Sequence, residues 1–204
     1  ETRNQTSKLA QECNSISGPE YQIPENFSLG SVGGYFTYDE ILGHLENMQN
    51  LYPDLISLIA PINDSLTHDG NPLYWVKISD NPEIDEDGEP EMLYTALHHA
   101  REPGSVSQLI FYMYYLLENY GVSSQITSII NNAELYFVPI VNPDGYLHNE
   151  YTDSSGGGMW RKNRRNNNDG SYGVDLNRNY SFHWAEDDFG SSPNTNTQTY
   201  RGPG

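Results

Sequence analysis

Met92-Leu93-Tyr94-Thr95-Ala96-Leu97-His98-His99-Ala100-Arg101-Glu102-Pro103 is an apolar run that breaks abruptly into two histidines, an arginine and a glutamate. The apolar part predicts a buried strand over residues 92–97. The helical pattern that follows predicts a helix over residues 105–119 that stops at Gly121. A strand feeding a helix puts the intervening residues at the carboxyl end of a sheet, where α/β folds place their ligands. His99 and Glu102 stand i, i+3, so both lie on one face once the chain turns helical. A neutral imidazole presented with a carboxylate suits Zn²⁺, which takes nitrogen and oxygen ligands at about 2.0–2.2 Å. Arg101 lies between them, and a cation beside a divalent metal needs an anionic partner; a substrate carboxylate is one. The plain alternative is a helix N-terminus with an acidic first turn and no metal.

Upstream, Thr37 and Glu40 form a capping box, and Ile41, Leu42, Leu45 and Met48 give a helical stripe that ends before Pro53. Residues 55–59 and 73–78 read as two strands joined through the hairpin-turn chemistry of His68-Asp69-Gly70-Asn71. The acidic loop over residues 80–89 reads as a solvated turn. A calcium site there is the alternative, but the register of a helix-loop-helix calcium loop is missing. Downstream, a short helix over 123–131 and a strand over 135–141 lead into Asn142-Pro143-Asp144-Gly145. Residues 149–158 and 163–171 read as flexible loops, and the tyrosines at 112, 114, 115 and 120 as packing. Strands alternating with helices imply an α/β fold with a mixed, largely parallel sheet flanked by helices. Residues 1–32 are polar and aperiodic and read as a leader or linker, with a domain over 33–204.

Lys and Arg total 10 against 28 Asp and Glu, for a net charge of −18, yet half of those cations fall between Arg161 and Arg178. A solvated basic face accounts for Lys162, Arg164 and Arg165. A nucleic-acid patch is excluded by the overall charge and the lack of a basic stripe. A small anion site remains, since an Arg fork pairs with a carboxylate in bidentate fashion.

At this point the chain resembles the zinc metallocarboxypeptidases of the carboxypeptidase A type, and among them the secreted bacterial members. The resemblance runs from Gly34-Tyr35-Phe36-Thr37 to the last residue. It is carried by His99-Ala100-Arg101-Glu102, Asn142-Pro143-Asp144-Gly145, Trp160-Arg161-Lys162, Gly173-Val174-Asp175-Leu176-Asn177-Arg178-Asn179, and the tail Ser191-Ser192-Pro193 with Thr199-Tyr200-Arg201-Gly202. It implies a phosphorylase/hydrolase-like fold and an exopeptidase that removes the C-terminal residue of a peptide or protein. Zinc would be held by His99 and Glu102, with Asp175 orienting the His99 ring. Arg161 would polarise the scissile carbonyl. Asn177 and Arg178 would grip the terminal carboxylate, and Arg101 would face an anion at the subsite edge. His98 is expected to pack or support instead of binding metal. Pro103 stands where many relatives carry Trp, in a first helical turn that tolerates it.

The family's third ligand, a His, and its general base, a Glu, lie downstream of anything matching Arg201-Gly202. His44, His68, His148 and His183 sit in no matching element. The chain is therefore expected to be the front part of a catalytic domain, inactive alone. Two other functions compete: a zinc deacylase of N-acyl amino acids, and a non-catalytic binding module that keeps the carboxylate clamp. The hydrophobic share is 36%, no apolar run reaches membrane-spanning length, and Cys13 is the only cysteine, so no intrachain disulfide forms. The expected setting is extracellular, with no nucleic-acid or membrane partner. Sequons at Asn4, Asn26, Asn63 and Asn179 carry no weight.

Overall fold

The computed structural model describes residues 22–153 and 158–203; Cys13 and the sequon at Asn4 lie outside them. Helix α1 spans Tyr38–Leu51 and begins on the expected capping box, with the Thr37 hydroxyl accepting from Glu40 N and the Glu40 carboxylate accepting from Thr37 N. Its buried stripe is Ile41, Leu45 and Met48. Strand β1 is short, Ala60–Pro61, and strand β2 is Tyr74–Ile78. Strand β3 is Glu91–Thr95, followed by α2 (Gly104–Asn119), α3 (Ser124–Ile130), β4 (Glu134–Val138) and α4 (Pro143–Thr152). A single 3-10 turn, Leu176–Arg178, closes the order among the described residues.

The four strands form one mixed sheet in the order β1-β2-β4-β3. β1 and β4 each run antiparallel to β2, and β3 runs parallel to β4. Side chains alternate along a strand, so Val76 and Ile78 share a face with their partners Phe137 and Leu135. That face carries the core with the stripe of α1 and with Val106, Ile110, Met113 and Leu117 of α2. The opposite face pairs Lys77 with Tyr136 and sets Trp75 against the Tyr136 ring, with centroids 5.5 Å apart. Tyr114 is fully buried, its hydroxyl taking a hydrogen bond from Asn47 Nδ2 at 3.0 Å, and Tyr112 packs on Tyr94, as the packing reading of these tyrosines required.

Two expectations, a strand over 55–59 and a loop over 149–152, need correction. The strand predicted over 55–59 does not form. Ser57 Oγ accepts from Lys77 N, replacing a ladder bond with a side-chain one, so only Ile56 bridges β2 and regular pairing waits until Ala60. The strand expected over 92–97 is β3, which in this chain comes last in the strand order among the described residues, with Met92 49% and Leu93 68% exposed. Residues 149–152 are not loop but the last turn of α4, which Asn142 starts by accepting from Gly145 N. Residues 163–171 run as the expected loop, in which Asn167 N donates to Ser171 O and Asn163 Oδ1 accepts from Val174 N. Ahead of residue 33, Phe27 lies edge-on to Phe36 and Phe111, and Asn26 N donates to Glu118 Oε1.

The polar face of the sheet holds one buried ion pair, Lys77 with Glu134, whose side chains are 3% and 1% exposed. Removing one member strands the other charge, at a cost of roughly 3–5 kcal/mol. Lys77→Met in the full-length protein should therefore lower the urea midpoint sharply, and adding Glu134→Gln should recover most of the loss. Equal midpoints for parent and single variant would show the pair to be energetically idle.

Candidate metal centre

The chain leaves β3 through a strained turn. Ala96 still bonds β4, donating to Val138 O and accepting from Val141 N, but Leu97 then takes a left-handed φ of 53° while its side chain stays buried. For a non-glycine residue that conformation costs about 1–2 kcal/mol. It is held by Leu97 N donating to Ser105 Oγ and by Asn142 Nδ2 donating to His98 O at 3.2 Å. Asn142 also reaches Arg161 O at 3.4 Å, and Ala100 N donates to Arg161 O at 3.0 Å, so the 98–102 and 160–162 segments lie side by side. Gly145 is where they close on α4: a Cβ there would meet Lys162 O at 2.6 Å and the Ala100 methyl at 2.9 Å. Asp144 ties down the 67–71 hairpin, accepting from Thr67 Oγ1, Asp69 N and Asn71 Nδ2.

This scaffold brings four of the predicted site residues together. His99 Nδ1 lies 3.0 Å from Glu102 Oε2, and its Nε2 lies 3.1 Å from Asp175 Oδ1. Arg161 donates from Nη1 to Glu102 Oε1 at 3.2 Å and from Nη2 to Asp175 Oδ2 at 3.1 Å. Asp175 is 0% exposed, so its carboxylate is the fixed centre of the group. With the Nε2 proton committed to Asp175, the Nδ1 lone pair faces a carboxylate oxygen, and two acceptors this close need a cation or a proton between them. The pair therefore fits a small divalent metal. Among the described residues no third His, Cys, Asp or Glu makes it a group of three with ligand atoms within 4.8 Å of one another.

Asn177 joins the group through its backbone, donating N–H to Asp175 Oδ1 at 3.0 Å, so the same carboxylate that holds the imidazole caps the 3-10 turn. Arg178 is anchored by Gly190 O at 2.8 Å and Asn177 O at 2.7 Å, and with Asn177 it lines a cavity of about 320 Å³ walled by Tyr180, Phe182, His183 and Trp184. Arg101 stands apart. It points to Met159 O and borders a separate cavity of about 430 Å³ shared with Tyr35, Phe36 and Tyr146. His98 turns away from Glu102 to Tyr180, its Nε2 2.6 Å from the hydroxyl, and burial with the neighbouring His99 lowers its basicity.

The basic face expected of Lys162 and Arg164 is not there. Lys162 is 4% exposed and donates to Thr195 O at 2.7 Å, with burial pushing its ammonium below the usual lysine range. Arg164 is sandwiched between Trp160 and Tyr172, 4.6 and 4.9 Å from the ring centroids. Charge alone misled here: an Arg next to aromatics stacks on them. The sequence reading also passed over Asn142 as an anchor, though its place ahead of Pro143 carries an N-cap signal.

An α/β sheet with a histidine and a carboxylate converging at a strand's carboxyl end, steadied by a buried aspartate and an arginine, defines a candidate metallohydrolase. Comparison with known proteins narrows this: the chain belongs to the zinc carboxypeptidase family, whose model matches residues 41–204. It is 34% identical over 178 residues to a mast cell carboxypeptidase A of Mus musculus, covering 85% of this chain and 39% of that protein. It is 32% identical over 152 residues to a zinc carboxypeptidase of Saccharothrix mutabilis, covering 74% of this chain and 33% of that protein. Among solved structures, thrombin activatable fibrinolysis inhibitor superposes with a TM-score of 0.70 at 28% identity, covering 83% of this chain and 40% of that one. The chain thus spans between 33% and 39% of the curated relatives described.

Asp175→Asn should disturb His99, Arg161 and the Asn177 turn at once. In the full-length protein, zinc affinity measured in a graded zinc buffer should fall roughly 10–100-fold, as for other supporting carboxylates. An unchanged affinity would mean that Asp175 does not orient a ligand.

Proposed function

We propose that the full-length protein is a zinc-dependent exopeptidase that hydrolyses the C-terminal peptide bond of peptides and proteins. The observation that carries this reading is the facing pair of His99 Nδ1 and Glu102 Oε2, 3.0 Å apart, with the other ring nitrogen committed to buried Asp175. His99 and Glu102 would hold the metal. Zinc bound there supplies Lewis-acid polarisation of a carbonyl and a water made nucleophilic near neutral pH. A third protein ligand and a general base belong, in this reading, to parts of the protein outside this chain.

Arg161 keeps a fixed positive charge beside the pair, bonded to Glu102 and Asp175. A positioned donor of this kind contributes about 3–4 kcal/mol when charge develops on a carbonyl oxygen. Asn177 and Arg178 stand next along the chain from Asp175, so a carboxylate held by them is registered against the metal ligands through one buried side chain. That registration explains selectivity for a chain end, since only a terminus offers a free carboxylate. Arg101 would face an anion at the subsite edge. An extracellular setting belongs to the same reading, and no helix among the described residues is long and apolar enough to cross a membrane.

Arg178→Ala in the full-length enzyme should raise KM for peptides with a free C-terminus while sparing amidated ones. The ratio of free to amidated cleavage should drop at least about tenfold, the loss of one charge-assisted contact. If that ratio does not move, the clamp lies elsewhere. Dialysis against a chelator should abolish hydrolysis, and one equivalent of zinc should restore it; chelator-resistant activity would sink the metal mechanism. Faster cleavage of longer peptides than of N-acyl amino acids separates the peptidase from a deacylase.

A further inference from the structure

Asn142 is 1% exposed and stands where the turn after β3, the 160–162 segment and the start of α4 meet. Its carboxamide offers an oxygen acceptor and two N–H donors, and both ends are engaged. Oδ1 accepts from Gly145 N at 3.0 Å and so starts the helix. Nδ2 donates to His98 O at 3.2 Å and to Arg161 O at 3.4 Å. Arg161 O takes a second donor, Ala100 N at 3.0 Å. His98 and Ala100 flank His99, so both neighbours of that residue are tied to the Arg161 carbonyl, one directly and one through the carboxamide. Gly145 walls the junction on one side, where a Cβ would stand 2.8 Å from Asn142 Nδ2 and 2.9 Å from the Ala100 methyl. Two separate devices therefore hold His99 to Arg161. Asp175 bonds their side chains, and Asn142 joins their backbones.

We propose that Asn142 is a positioning residue for hydrolysis: it sets the Arg161 guanidinium at its distance from His99 and Glu102 and touches neither substrate nor metal. The inference rests on the exopeptidase reading, because the distance matters only if Arg161 meets charge developing on a carbonyl oxygen. Such a contact tolerates little error, and a misplacement of about 1 Å costs roughly a hundredfold in rate. The clamp at Asn177 and Arg178 is fixed by Asp175, Gly190 and its own backbone, away from this junction. Loss of the carboxamide tie therefore belongs in kcat and not in KM. The bond from His99 Nε2 to Asp175 also survives that loss, so the metal ligand keeps its orientation.

The test uses variants that keep the helix cap and remove the tie, in the full-length, zinc-loaded protein. Ser and Asp cap a helix as well as Asn does. The Ser hydroxyl has less reach and a single proton, and Asp turns an anion toward two carbonyl oxygens. Asn142→Ser should unfold within about 2 °C of the parent and bind zinc within about threefold of it. Its KM should stay within about twofold while kcat falls roughly ten- to a hundredfold. Asn142→Asp should lower kcat at least as far. Exchange of the Ala100 amide hydrogen should be at least about tenfold faster in both variants, which reads the junction whatever the protein hydrolyses. Unchanged exchange, or a parent-like kcat, would overturn the proposal. So would zinc affinity or the unfolding midpoint dropping in step with kcat, the mark of a residue that only supports the fold. A parent that cleaves no peptide would instead sink the exopeptidase reading, and the positioning role with it.

Discussion

Asp175 is a carboxylate with no access to water, and the arrangement of the candidate centre follows from the need to satisfy it. Its two oxygens accept from the His99 imidazole, the Arg161 guanidinium and the Asn177 backbone amide. A buried charge left short of partners is costly, so these three groups, drawn from three separate segments, are fixed relative to one another by a single side chain. His99, Arg161 and Asn177 are thereby held in one register without a shared secondary-structure element. The strain at Leu97 is part of the same bargain: the left-handed turn carries His99 over the sheet's edge and toward Asp175.

The scaffold under the centre is organised by the polar residues that sequence motifs single out without explaining. Asn142-Pro143-Asp144-Gly145 works as a junction. Asn142 starts α4 and holds the backbone of His98 and Arg161; Asp144 gathers the 67–71 hairpin; Gly145 leaves room for the Lys162 carbonyl. Lys162 and Arg164, although charged, behave as packing residues, one buried against Thr195 and the other layered between two aromatic rings. The acidic β2–β3 connection is a third case, in which one carboxylate oxygen each from Asp80, Glu86 and Glu89 lies within 4.8 Å of the others. In each, position relative to the rest of the fold decides whether a charge faces water.

Much was readable from one dimension. The capping box and the 3.6-residue stripe placed α1, and apolar periodicity with its breakers placed α2, α3, β2 and β4 to within a few residues. These signals are local: a cap or an amphipathic stripe is complete within a dozen residues. The His99–Glu102 spacing was equally local, and the order of five motifs was enough to name the family. Where the reading failed, the missing information was long-range. Residues 55–59 carry a strand's composition, but a serine hydroxyl takes the ladder's place.

The sequence by itself thus determined the element types, the pair of candidate ligands and the family, because propensity, capping and spacing depend on neighbours along the chain. Only the tertiary structure decided that Asp175 is buried, that Arg161 bridges it to Glu102, and that Arg101 points to Met159 instead of joining the pair. Burial and electrostatic partnership depend on what packs across tens of residues of separation. A charge's meaning is set by the dielectric and the donors around it, and neither can be seen until the chain has closed on itself.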